Sequence, residues 1–62
     1  MARKFSKGDK VIVRPESDSP YKGQIGTVDK PIYDAKEAGY FCYVKFAGVA
    51  VRFNEDLLEM AP

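Results

Sequence analysis

Between Tyr40 and Phe53 the chain alternates in a way that suits a two-stranded antiparallel ribbon. The segments Tyr40 to Phe46 and Val49 to Phe53 flank Ala47-Gly48. With that dipeptide as the whole loop, Phe46 faces Val49, Val44 faces Val51 and Cys42 faces Phe53. Strand side chains alternate between faces, so these apolar residues share one face, which must be the core. The opposite face carries Phe41, Tyr43, Lys45, Ala50 and Arg52, with Tyr43 directly across from Arg52. A slip of one residue would turn the whole apolar set to water, so the hydrophobic pattern itself specifies the pairing.

Other short segments repeat the theme. Lys10 to Arg14 is a first strand, with β-branched Val11 and Val13 on one face, and Pro15 ends it because proline cannot donate to a ladder. Glu16 to Gly23 consists of turn formers and reads as a polar loop. Gln24 to Lys30 is a second strand, and Gly26 inside it marks a bulge or a close approach of another backbone. Pro31 to Gly39 reads as irregular, either as one helical turn with Asp34 as N-cap and Gly39 at its C-terminal side, or as an open loop. Asn54-Glu55-Asp56 forms a tight turn of 3₁₀ type, Leu57 plugs the end of the structure, and Leu58 to Met60 closes the sheet. The expectation is a small all-β barrel of five strands, with a short 3₁₀ turn before the last.

Sixty-two residues make one domain, spanning 1–62, in which 1–6 is a loosely packed or flexible arm that Phe5 lays against the outside of the barrel. A domain of this size buries only about 60% of the surface of its unfolded chain. Its stability must come from packing, because Cys42 is the single cysteine and has no partner for an internal disulfide. A lone thiol fits a reducing cytoplasm. No segment approaches the roughly 20 apolar residues of a membrane span. Ten basic residues against nine acidic ones leave a net charge of +1. Dedicated nucleic-acid binders usually carry a clear basic excess, so RNA or DNA is the less favoured partner.

The chain contains no histidine. That removes histidine-based acid–base catalysis, Ser–His pairs and histidine metal sites. The carboxylates are scattered, and neither GxGxxG nor GxxxxGK[ST] occurs. No catalysis, metal or cofactor is expected. Cys42 points inward in the predicted register and behaves as a small buried hydrophobe. The candidate binding residues are the remaining aromatics with the cations between them: Arg14, Tyr21, Lys22, Tyr33, Phe41, Tyr43, Lys45 and Arg52. Together they could form a stacking and charge platform for a peptide or a single strand. Alternatively, Tyr43 stacks on Arg52, Phe41 lies under the 31–39 loop, and no continuous surface forms.

With the strands placed, two resemblances emerge. Gly8-Asp9-Lys10-Val11, Arg14-Pro15-Glu16-Ser17 and Gly26-Thr27-Val28 resemble the opening of photosystem I reaction-centre subunit IV. Tyr43-Val44-Lys45-Phe46, Val51-Arg52-Phe53 and Asp56-Leu57-Leu58-Glu59-Met60 resemble the close of the variable chain of ferredoxin–thioredoxin reductase. These proteins, with the C-terminal barrel of nitrile hydratase β subunits, form a group of SH3-like accessory barrels. The resemblance implies an SH3-like barrel that docks onto a larger assembly without catalysis of its own. Asp18-Ser19-Pro20 stands where those relatives have aromatic or basic residues, a departure from the group's pattern that bears on any ferredoxin contact. Lys7-Gly8-Asp9-Lys10-Val11 and Gly23-Gln24-Ile25-Gly26-Thr27-Val28 are also similar to KOW-type barrels of ribosomal and transcription-elongation proteins, which implies RNA or DNA as the alternative partner. The sequence-based expectation is thus a protein–protein interaction module, monomeric in isolation, acting as an accessory subunit.

Overall fold

A computed structural model of the protein describes residues 5–36 and 39–62. Strands β1 (Lys10–Val13), β2 (Ile25–Asp34), β3 (Gly39–Phe46), β4 (Val49–Asn54) and β5 (Leu58–Met60) form one antiparallel sheet in the order β4-β3-β2-β1-β5. A single 3₁₀ turn, Glu55–Leu57, precedes β5. Asn54 caps it, accepting a bond from the Asp56 amide at 3.0 Å, which satisfies a donor that the short turn leaves open.

The sheet is not closed into a barrel. Strand β5 has only three residues and pairs with β1 alone, so β4 and β5 remain as edges. The core is enclosed by packing instead. Phe53 of β4 and Leu58 of β5 belong to the same buried cluster as Val11, Val13, Val28, Cys42, Val44 and Phe46. Phe5 joins that cluster at 4% exposure, so it fills the core where the sequence placed it outside. Of the expected 1–6 arm, residues 1–4 lie outside those described. Residue 6 is held, since the Ser6 amide donates to Asp9 Oδ2 at 2.8 Å.

The β3–β4 hairpin has the expected register throughout: Cys42↔Phe53, Tyr43↔Arg52, Val44↔Val51, Lys45↔Ala50 and Phe46↔Val49. Its loop is Ala47-Gly48 with φ of 49° and 84°. Positive φ at both central residues gives a two-residue loop whose twist matches the flanking strands. The core assignment holds for Cys42, Val44, Phe46 and Phe53, while Val51 is half-buried. Val49, at the open end of the hairpin, is 56% exposed because no other element reaches it.

Strand β2 corrects the sequence reading. It runs on through Pro31 to Asp34, across the stretch read as irregular, with Pro31 opposite Cys42 and Ile32 opposite Phe41. The pairing absorbs one extra residue between Val28 and Lys30. This bulge reverses the alternation. Val28 points to the core opposite Val44, and beyond Asp29 it is Pro31 that shares the inner side with Cys42. Asp34 therefore ends a strand. Its Oδ1 accepts from the Lys36 amide at 2.9 Å, starting the turn that follows. The expected helical turn over 34–39 falls partly on residues 37–38, which lie outside those described. Gly26 is a close approach and not the bulge: a Cβ there would meet Val44 Cγ1 at 2.6 Å and the Lys45 carbonyl oxygen at 2.8 Å.

The loop after β1 is tied back by backbone bonds, from Gly23 N to Val13 O at 2.8 Å and from Val13 N to Gln24 O at 3.0 Å. Leu57 is 37% exposed and does not plug the interior; Leu58, at 1%, takes that place.

Candidate functional site

The bulge at Asp29 is what builds the cleft. In unbroken alternation from Val28, Ile32 would face the core. The extra residue re-aims it to the outer side, opposite Phe41 and next to Tyr43. Ile32, Tyr33, Phe41 and Tyr43 then line an open cleft of about 450 Å³, together with Asp34, Ala35, Lys36 and Arg52. That volume lies within the roughly 300–1,000 Å³ range of ligand pockets. Its lining is largely apolar and aromatic, with a few charged groups at the rim.

Arg52 organises the rim. Its guanidinium carbon is 4.0 Å from the centroid of the Phe41 ring, and its Nη2 donates to Asp34 Oδ2 at 3.5 Å. The expected stacking partner was Tyr43. Tyr43 is indeed the cross-strand neighbour, but the long side chain reaches diagonally to Phe41 instead. This contact covers one face of the Phe41 ring, which, beside Ile32 on β2, is only 8% exposed although it lies on the outer side of the sheet. Arg52 and Asp34 side chains are 47% and 30% exposed, so their pair contributes about 1 kcal/mol at most. Tyr33 and Tyr40 pack as a tilted pair with centroids 4.9 Å apart, and Tyr33 stays 53% exposed at the margin.

Of the sequence candidates, Phe41, Tyr43 and Arg52 come together here on the outer side; Tyr33 borders the cleft, but its register partner Tyr40 puts its ring on the other side of the sheet. The others lie elsewhere. Tyr21 is turned onto the core, stacked on Phe46 at 4.7 Å and edge-on to Phe53 at 6.2 Å. The loop directs it there through local bonds, among them the Tyr21 amide to Ser19 Oγ at 3.0 Å. Arg14 reaches across to β5, where Nη1 donates to Glu59 Oε2 at 2.7 Å. Its Nε is buried with no hydrogen-bond partner, an arrangement for which the surroundings offer no physical account. Lys22 is exposed in the same loop as Tyr21. Lys45 shares the outer side of β3 with Tyr43 but lies 4.0 Å from Asp29, outside the cleft. The eight candidates thus do not form one platform.

Sequence reasoning missed Ile32, Asp34 and Lys36. The side of the strand on which Ile32 and Asp34 lie depends on the bulge, which nothing in Val28-Asp29-Lys30-Pro31 marks, and Lys36 lies in the turn that follows the strand.

Cys42, fully buried, sits with its Sγ 3.8 Å from Glu55 Oε2, a weak contact under the 3₁₀ turn. Among the described residues no three cysteine or carboxylate side chains converge as a metal-ligand set. No helix among them is long and apolar enough to cross a membrane. Comparison of the chain with protein-family models, curated proteins and solved structures finds no match.

Proposed function

We propose that the protein is a non-catalytic protein–protein interaction module, of the SH3-like accessory kind, that docks a segment of a partner protein in the Ile32–Tyr33–Phe41–Tyr43–Arg52 cleft. The observation that carries this reading is the convergence of two aromatic side chains, Phe41 and Tyr43, with Ile32 and an arginine in one open groove that Tyr33 borders. Tyr and Arg are enriched among residues that dominate binding energy. The 4.0 Å cation–ring contact holds Arg52 across the groove and lowers the conformational entropy lost on binding. The reduced, buried Cys42 suits a reducing compartment such as the cytoplasm.

The charge arrangement disfavours nucleic acid as the partner. Arg14 faces Glu59, Arg52 faces Asp34 and Lys45 faces Asp29, so these cations sit beside carboxylates and make no continuous basic stripe. Selection from a display library of random peptides tests the reading. Selected peptides should bind the wild-type chain and lose more than about tenfold in affinity, or 1.4 kcal/mol, on Arg52→Ala or Tyr43→Ala. A mixed single-stranded RNA should show no binding that falls steeply with salt. Tight, salt-sensitive RNA binding with no peptide enrichment would replace the protein partner by RNA.

A further inference from the structure

Strand β4 is the longer free edge of the sheet. Among the described residues it has a neighbour on one side only, β3, and no backbone bond leads from Val49–Asn54 to any other element. Edge strands present a row of backbone donors and acceptors, and proteins normally blunt them with charged side chains, proline, a bulge or extreme shortness. The opposite edge, β5, is only three residues long. Strand β4 has six residues, no proline, an unbroken register and a single charged side chain, Arg52, which is turned toward Phe41 and Asp34 on the outer side. Its side chains alternate as an added strand would require. Val49 and Val51 lie on the inner side, 56% exposed and half-buried respectively. Ala50, Arg52 and Asn54 lie on the outer side, all exposed.

Arg52 belongs both to this edge and to the cleft, and its contact with Asp34, at 3.5 Å, is long and leaves its side chain 47% exposed to a partner. Around it the cleft holds two cations, Arg52 and Lys36, against one carboxylate, Asp34, a net excess of one positive charge. The residue of an added strand that lies across from Arg52 is its direct cross-strand neighbour. Opposite charges favour each other at such a position and like charges disfavour each other.

We infer that the partner docks by strand addition to β4, as an extended segment alternating apolar and acidic residues. The apolar side chains lie against Val49 and Val51, and a carboxylate lies beside Arg52. The proposal rests on the protein-docking reading above and specifies its mode. A second copy of the chain is the poorer occupant, because its own β4 offers Ala50, Arg52 and Asn54 on the outer side and no carboxylate for Arg52. Backbone pairing supplies the affinity of such a complex and the alternating side chains supply its selectivity.

The test uses the full chain, ¹⁵N-labelled, and three eight-residue probes: a peptide alternating valine with glutamate, its counterpart with lysine for glutamate, and the glutamate peptide N-methylated at alternate residues. The glutamate peptide should shift the amide signals of Val49 to Asn54 and slow the hydrogen exchange of those that point away from β3. The lysine and N-methylated peptides should bind at least tenfold more weakly. Arg52→Glu should reverse the preference between the glutamate and lysine peptides. Equal binding of the N-methylated peptide, or shifts confined to Ile32, Tyr33, Phe41 and Tyr43, would overturn strand addition while leaving the cleft as a docking site. A chain that sediments as a dimer with β4 amides already protected would make the second copy the occupant, and the inference fails. Absence of any response to the glutamate peptide also overturns it. The random-library selection judges the docking reading separately.

Discussion

The Arg52 guanidinium lies 4.0 Å from the centre of the Phe41 ring, although the residue directly across from Arg52 on β3 is Tyr43. The arginine thus covers one face of a buried ring on the outer side of the sheet. Removing the cover and removing the ring should have unequal costs. Arg52→Ala loses an exposed cation–π contact and a weak ion pair, together about 1 kcal/mol. Phe41→Ala removes a buried ring and should cost roughly 3 kcal/mol. Tyr43→Ala should stay near about 1 kcal/mol, the centre of the distribution for single substitutions. Urea unfolding of the three variants checks this order. A loss for Tyr43→Ala as large as that for Phe41→Ala would mean that the ring under the arginine is Tyr43.

Phe46 is held between strand and loop, with Tyr21 stacked on it at 4.7 Å and Phe53 edge-on at 5.9 Å. Phe46→Ala should cost roughly 3–5 kcal/mol. A domain of this length holds only about 3–9 kcal/mol in total, at 0.05–0.15 per residue. The variant should be largely unfolded at 25 °C, and a well-dispersed NMR spectrum would contradict the packing. The milder pair Tyr21→Leu and Phe46→Leu keeps the fold measurable. Its double-mutant cycle should give a coupling of about 0.5–1.5 kcal/mol, the value of an aromatic pair beyond its area.

Ala47 adopts φ of 49° in the hairpin loop, where a Cβ crowds the following carbonyl. That conformation costs an L-residue roughly 1 kcal/mol, and asparagine tolerates it better through local hydrogen bonding. Ala47→Asn should raise stability by a few tenths to about 1 kcal/mol, or about 4–8 °C in Tm per kcal/mol for a domain of this size. Calorimetry decides; a lower Tm would mean that the loop is not of this turn type.

The Cys42 thiol is fully buried. An aromatic disulfide reagent should leave it unmodified in the native protein and modify it rapidly in denaturant, since reaction needs an exposed thiolate. At intermediate denaturant the modification rate should follow the global unfolding equilibrium, because Cys42 lies mid-strand with neighbours on both sides. Fast labelling of the native chain would show that the β3 alternation is inverted.

The register of the β3–β4 hairpin was legible in the sequence to the residue, because apolar alternation and a two-residue loop are both local and point to one pairing. A 3₁₀ turn before the last strand was also legible, read one residue early at 54–56 where the structure has Glu55–Leu57, as was the start of β1 at Lys10. The candidate site was legible only in part. Tyr33, Phe41, Tyr43 and Arg52 were readable as exposed or outer-side residues, but which of them meet was not. Tyr21 looked like another loop aromatic, and only the folded loop shows it packed on Phe46 and Phe53.

The sequence by itself determined the all-β character, the hairpin register and the inward face of Cys42, Val44, Phe46 and Phe53. These follow from the period of a strand, which any few consecutive residues express. Tertiary structure alone decided that β2 runs through Pro31 to Asp34, that the sheet stays open at β4 and β5, and that the bulge at Asp29 turns Ile32 outward. A bulge is a property of two strands, since it exists only where one has a residue more than its partner between matched pairs. The cleft depends on that one extra residue and on an arginine from a third strand, so no stretch of the chain read alone contains it.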